Sequence, residues 1–208
     1  MNNNEILSTC YTKSVEAYMG GQGYEGSNSN CYSGDAIKRM REIAKACKIK
    51  GVTFSRQTYS GGSSISIKVK LLPGDVREYS EIAKQVERTD FLNVGIRNWF
   101  SDPSIDHPNC NYLADNFWNE SPERKKELLH HWGLNWYNAT INGHCSSIMH
   151  YWQLEQKEYP CFTEQFFDRW NALGKIVSSH NYDHSNAMVD YFDVNFYEHW
   201  YIINKLDA

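Results

Sequence analysis

A chain of 208 residues with 41% hydrophobic and 14% aromatic side chains can bury a core without disulfide or metal staples, which excludes a disordered chain. Its formal net charge of −4 excludes the strongly basic footprint of non-specific duplex binding, so nucleic acid is not the favoured partner. No stretch approaches the ~20 apolar residues of a membrane helix, and Met1-Asn2-Asn3-Asn4-Glu5-Ile6-Leu7 lacks the basic and apolar regions of a signal peptide. The expected compartment is the cytoplasm. Cys10, Cys31, Cys47, Cys110, Cys145 and Cys161 form no C-x-x-C pair and are expected as thiols, mostly buried.

Residues 20–34 are rich in Gly, Ser and Asn and predict a loop. They carry neither the G-x-x-x-x-G-K-[ST] nor the G-x-G-x-x-G spacing of a phosphate cradle. From Asp35 to Cys47, apolar Ile37, Met40, Ile43, Ala44 and Cys47 recur at helical spacing, with Ser33 or Asp35 as cap and Gly51 just beyond. The period then changes to two. Val52, Phe54, Arg56 and Thr58 alternate with polar neighbours, and after Ser60-Gly61-Gly62-Ser63 the apolar set is Ile65, Ile67, Val69 and Leu71. Two alternating runs joined by Gly-Gly predict a β-hairpin, because glycine supplies the positive φ of a tight turn. Its second strand has one apolar face for a core and one polar face for water.

Leu72-Pro73-Gly74-Asp75 ends that strand, and a second amphipathic helix is predicted over 76–88, with Tyr79, Ile82, Ala83 and Val86 on one face. Both helices are expected on the apolar face of the hairpin. Residues 90–119 are irregular. Ser121-Pro122-Glu123 starts a helix, with Ser at the N-cap and Pro at the first helical position. A further helix over 163–179 is capped by Thr163, and a near-alternating strand is predicted over 190–203. The expected fold is α+β: a helix–hairpin–helix unit and a C-terminal strand forming a small antiparallel sheet packed by several helices. It is one domain over 1–208, with parts at 1–89, 90–160 (an aromatic-rich insertion) and 161–208.

Three constellations invite chemistry. His180 and His184 have the H-x3-H spacing of zinc ligands, but no cysteine pair accompanies them, so neither metal nor cofactor is expected and this pair stays an alternative. Arg124 and His130 form an R-x5-H pair on one predicted helix, similar to the motif of helical HEPN-type endoribonucleases; it implies a phosphate clamp and a general acid/base. That metal-independent ribonuclease is the enzymatic alternative to a chain with no catalytic residues. The third is an aromatic surplus beyond Trp99. Trp132, Trp136, Tyr137, Tyr151 and Trp152 are expected to form a protein-binding surface or a homodimer face, where Tyr and Trp are favoured.

Val52-Thr53-Phe54-Ser55 and Tyr59-Ser60-Gly61-Gly62-Ser63-Ser64-Ile65 resemble the signature of a large polyvalent protein-associated domain of phages and conjugative elements. So do Asn181-Tyr182-Asp183-His184-Ser185 and Asp190-Tyr191-Phe192-Asp193 leading into Phe196-Tyr197. The resemblance spans roughly 35–75 and 176–200, and Lys70-Leu71-Leu72-Pro73-Gly74 stands where the family has a W-x-D-G-P-like turn. It implies an accessory protein of a phage or mobile element, working in the host cytoplasm. The expected partner is a host protein or complex of restriction or CRISPR defence, which the chain binds and inhibits. The other alternative it implies is a nucleic-acid-associated factor of DNA transfer.

Overall fold

The computed structural model describes residues 10–23, 32–91, 117–142, 154, 156–181 and 195–204. In chain order the elements are α1 (Tyr11–Gly21), α2 (Ser33–Ala46), β1 (Val52–Tyr59), β2 (Gly62–Lys70) and α3 (Tyr79–Val86). A 3-10 turn (Phe117–Asn119), α4 (Pro122–Ile141), α5 (Glu164–Ser178) and β3 (Tyr197–Ile203) complete them. The class is α+β, as the alternation of periods implies. No helix among the described residues is long and apolar enough to cross a membrane.

The hairpin forms where the glycines predict it. Tyr59 lies opposite Gly62, and Gly61 holds the positive φ, +93°, that the loop needs. At the other end of β1, Gly51 has φ +71°, and a Cβ there would meet the Lys70 carbonyl oxygen at 2.9 Å. That closeness lets Lys70 N–H donate to the Gly51 carbonyl at 2.6 Å. Gly51 is therefore a strand-entry residue. The left-handed position directly after the cap of α2 is taken by Lys48, at φ 56°. The predicted cap of α2 also differs: Tyr32 is the N-cap and offers no side-chain bond, while Ser33 is already helical and buried.

β3 adds to the far side of β2, giving the order β1-β2-β3. It runs parallel to β2, with Ser64 opposite Tyr197 and Ile67 opposite Trp200. The sheet is thus mixed, where a purely antiparallel one was expected. The hairpin occupies one side of β2, and β3 reaches the other only after a long crossover through α3, α4 and α5, the connection that parallel pairing requires.

One face of the sheet is the core. Phe54 on β1, Ile65, Ile67 and Val69 on β2, and Trp200 and Ile202 on β3 are buried together. Ile37, Met40, Ile43 and Ala44 of α2 pack on them, as do Phe166, Trp170, Leu173, Ile176 and Val177 of α5. Trp170 meets Trp200 at 4.9 Å between ring centroids. The predicted second helix begins late, at Tyr79, because Val76 is drawn into a β-bridge with Phe162. It does not share the hairpin face with α2. It packs against α4, where Gly133 lets the two helices approach; a Cβ there would meet the Tyr79 hydroxyl at 2.6 Å.

A buried ion pair joins the end of β2 to α5. Arg169 Nη2 donates to Asp75 Oδ2 at 2.6 Å and to the Lys70 carbonyl at 3.0 Å, and both side chains are fully buried. Burial pushes the Asp75 carboxyl up, against the pull of Arg169 and of the Leu72 N–H. Removing one partner of such a pair strands a buried charge and costs about 3–5 kcal/mol. Asp75→Ala is expected to lower the unfolding free energy by that order in urea titration. A loss below about 1 kcal/mol would show that the pair does not hold β2 to α5.

Candidate functional site

The second face of the sheet is the solvent face, and register decides what stands on it. Partners across strands share a face, so each row can be read from the pairing. Gln57, Ser64 and Tyr197 form one row; Ser55, Ser66 and His199 the next; Thr53, Lys68 and Tyr201 the third. Tyr59 stands beyond the first row, with its ring over Gly62, and Lys70 pairs with Ile203 beyond the last. Tyr59 is 47% exposed and Tyr197 43%, large values for aromatic side chains in strands. Thr53, Ser55, Gln57, Lys68 and Lys70 are exposed as well, and Ser66, His199, Tyr201 and Ile203 partly so. Ser64 is buried.

The electrostatics of this face differ from those of the whole chain. Lys68, Lys70 and His199 stand on it, and none of its described residues is acidic. Glu198, the carboxylate of β3, points to the opposite face, where it accepts from Asn181 Nδ2 at 3.0 Å and from Trp200 Nε1 at 3.0 Å. Lys68 Nζ lies 6.0 Å from the centroid of the Tyr201 ring. The face therefore presents cations, π-surfaces and hydroxyls on a rigid hydrogen-bonded platform.

The aromatic residues expected to form a binding surface are placed otherwise. Trp132, Trp136 and Tyr137 are 9%, 6% and 8% exposed. They line the buried side of α4 because positions 132, 133, 136, 137 and 140 fall on one helical stripe. Trp132 packs on Phe117 and Trp136 edge-on to Phe91, while the Tyr137 hydroxyl donates to the Arg77 carbonyl at 2.8 Å. Burial, then Glu78, Cys161 and Glu81, push the Tyr137 hydroxyl up to about 12. These three are packing residues, a correction to the expected surface. Tyr151 and Trp152 lie outside the described residues.

Arg124 and His130 do share α4, but the helix does not bring them together. Six residues turn an α-helix through roughly 600°, which sets the two side chains about 120° apart and ~9 Å along the axis. Arg124 pairs instead with Glu127 at 2.9 Å. His130 Nδ1 lies 2.5 Å from Glu87 Oε1, and the Tyr79 hydroxyl is 3.1 Å from both that oxygen and the His130 carbonyl. Burial and Glu87 raise the Tyr79 hydroxyl above its ordinary value. This cluster ties α3 to α4. The structure does not bring the arginine of the expected ribonuclease pair to the histidine.

His180 is fully buried, with Nδ1 2.8 Å from the Ile176 carbonyl. A proton on Nδ1 satisfies that contact. His184, its expected partner in metal binding, lies outside the described residues. Among the described residues no group of three or more metal-binding side chains comes together.

Sequence periodicity places Ser64, Ser66, Lys68 and Lys70 on the polar face of β2, but the contribution of Tyr59, Tyr197, His199 and Tyr201 depends on a register that only the folded sheet supplies. Truncating Tyr59 or Tyr197 to alanine is expected to change stability by no more than about 0.5 kcal/mol, as for ordinary surface positions. Trp136→Ala should cost about 3–5 kcal/mol. Comparable losses from all three, measured by urea unfolding, would overturn the division between face and core.

His180 generates a pH dependence. Burial holds its pKa below the ordinary 6.5, aided by Arg39 and opposed by the Ile176 carbonyl. The unfolded chain therefore takes up the proton first. The stability His180 contributes is fully present above about pH 6.5 and is lost as the pH falls through the lower, folded-state value. The urea midpoint should drop between pH 7 and 5, and His180→Gln should flatten that drop; an unchanged slope would refute the assignment.

Compared with family models, with curated proteins and with solved structures, the chain matches none.

Proposed function

We propose that this chain is an accessory protein of phage or mobile-element type that binds and inhibits a host protein of a restriction or CRISPR defence complex, and that its working surface is the solvent face of the three-stranded sheet. The observation that supports this reading is the exposure of Tyr59 and Tyr197 on a face whose described residues include no carboxylate. Exposed tyrosines on a rigid platform are efficient contact groups: each offers a large amphipathic surface with only two side-chain torsions to freeze. The hairpin that supplies two of the three strands also carries the sequence resemblance, so resemblance and surface coincide at 52–65.

The contact surface thereby lies away from α4, whose tryptophans are consumed by packing. The kind of activity stays the one expected from the sequence, which is to occupy and block a host component. A homodimer through the same tyrosines is the second arrangement that this exposure supports.

The test is made in cells. A bacterial host carrying a restriction or CRISPR system is challenged with phage or with an incoming plasmid, with and without the protein. Wild type is expected to raise the efficiency of infection or transfer by at least tenfold, and Tyr59→Ala/Tyr197→Ala to abolish the gain at equal protein level. Trp118→Ala, which removes an exposed aromatic far from the sheet in sequence, should leave it intact. No gain from wild type in either system, or a full gain from the double variant, overturns the proposal.

A further inference from the structure

The geometry points to a single-stranded nucleic acid as the ligand of the sheet face, a deepening that rests on the reading of that face as the working surface. Three features of the face argue together for this occupant. The first is charge. A chain of net charge −4 places Lys68 and Lys70 on one sheet face and keeps its carboxylates off the described part of it. The partner complementary to such a patch carries negative charge.

The second feature is stacking. Tyr197 and Tyr201 stand four residues apart on β3, roughly 13 Å at ~3.3 Å per residue, with His199 midway. Tyr59 stands two strands away, about 10 Å across the sheet. Unstacked bases lie on aromatic side chains, a contact open to every base because each has a π-face. Duplex bases are already stacked on each other and cannot use these rings. The combination of cations beside rings thus favours a single strand over a duplex, and a protein partner, which can use the same tyrosines, is an outcome of the test below.

The third feature is relief. Ser64 and Ser66 on the central strand form a low track between Gln57 and Ser55 on one side and Tyr197 and His199 on the other. Of the two, Ser66 is the partly exposed hydroxyl and can donate to phosphate or base acceptors, while Ser64 is buried. Lys68 and Lys70 follow on the same face of β2, with Tyr201 beside Lys68 and Tyr197 beside Ser64.

The experiment is a fluorescence-anisotropy titration of the full chain with labelled 20-nucleotide oligothymidine, oligouridine and a duplex of equal length. Binding of a single strand is expected, with the duplex at least tenfold weaker. Lys68→Glu/Lys70→Glu should weaken the single strand at least tenfold, and Tyr197→Ala about fivefold or more. For two phosphate contacts, log affinity should fall against log salt with a slope of about −1.4, and the lysine variant should lose most of it. Unchanged thermal unfolding of the variants separates lost binding from lost folding.

Absence of single-strand binding by wild type, equal binding by the lysine variant, or a duplex bound as tightly as the strand overturns the proposal. The two readings fail separately. If Tyr59→Ala/Tyr197→Ala loses its effect in cells while wild type binds no oligonucleotide, the face is the working surface and its occupant is a protein. If oligonucleotide binding depends on the face but the cellular effect does not, the ligand stands and the host-directed role falls.

Discussion

The way the sheet meets α5 turns on the buried contact between Arg169 and Asp75. One nitrogen of Arg169 reaches both the Asp75 carboxylate and the carbonyl of Lys70, the last residue of β2, while the same Asp75 oxygen accepts the Leu72 N–H at 2.6 Å. The end of the central strand, the turn that follows it and the middle of α5 are therefore one hydrogen-bonded unit. Around it the backbone is stitched further. Thr163 N–H donates to the Asp75 carbonyl, Thr163 Oγ1 to the Gly74 carbonyl, and Arg77 N–H to the Cys161 carbonyl. A buried ion pair adds little net stability over an apolar pair of similar volume, but it penalises every arrangement that leaves one charge alone. The pair fixes the middle of α5 to the end of β2. One residue on from Arg169, Trp170 packs against Trp200 of β3, which pairs with the side of β2 that the hairpin leaves open.

The neighbouring residue on α5 directs a second element. Asp168 accepts from the backbone N–H groups of Tyr11 at 2.5 Å and Thr12 at 3.2 Å, and so caps α1 from a distance of more than 150 residues in sequence. Helix N-termini need such acceptors because their first N–H groups have no partner within the helix. Lys175 pairs with Glu16 further along the same two helices. Consecutive residues of α5 thus point about 100° apart, one to the helix layer and one to the sheet. α5 is the element on which both layers are hung.

This division explains what could be read from the residues and what could not. The hairpin, α2, the start of α4 at Ser121 and the start of α5 at Thr163 are written locally, in period and in caps, and the folded chain has them. Helix α1 has no local cap; its N-cap Cys10 provides no side-chain bond, and the acceptor that completes it belongs to another helix. Nothing near Tyr11 could announce it. The shortened α3 has the same cause, since Val76 answers to Phe162 rather than to its own helix. The direction of β3 is a property of the crossover and not of the strand. Aromatic composition misleads about the surface for a related reason: Trp132, Trp136 and Tyr137 fall on one helical stripe, and a stripe that wide is drawn inward.

Net charge is an average, and a β-sheet undoes the average. Alternation sends consecutive residues to opposite faces, so Glu198 and His199, adjacent in the chain, meet different surroundings. Glu198 is held among Asn181 and Trp200, while His199 stands near Ser66 on the solvent side. A chain with an excess of acid can in this way carry a face whose described residues include none. The tryptophans of α4 cannot serve the same end, because exposing them would empty the contact with Phe91 and Phe117 that joins α4 to the rest. The tyrosines of the sheet carry no such duty, and a surface is free to bind only where its side chains are not already holding the fold together.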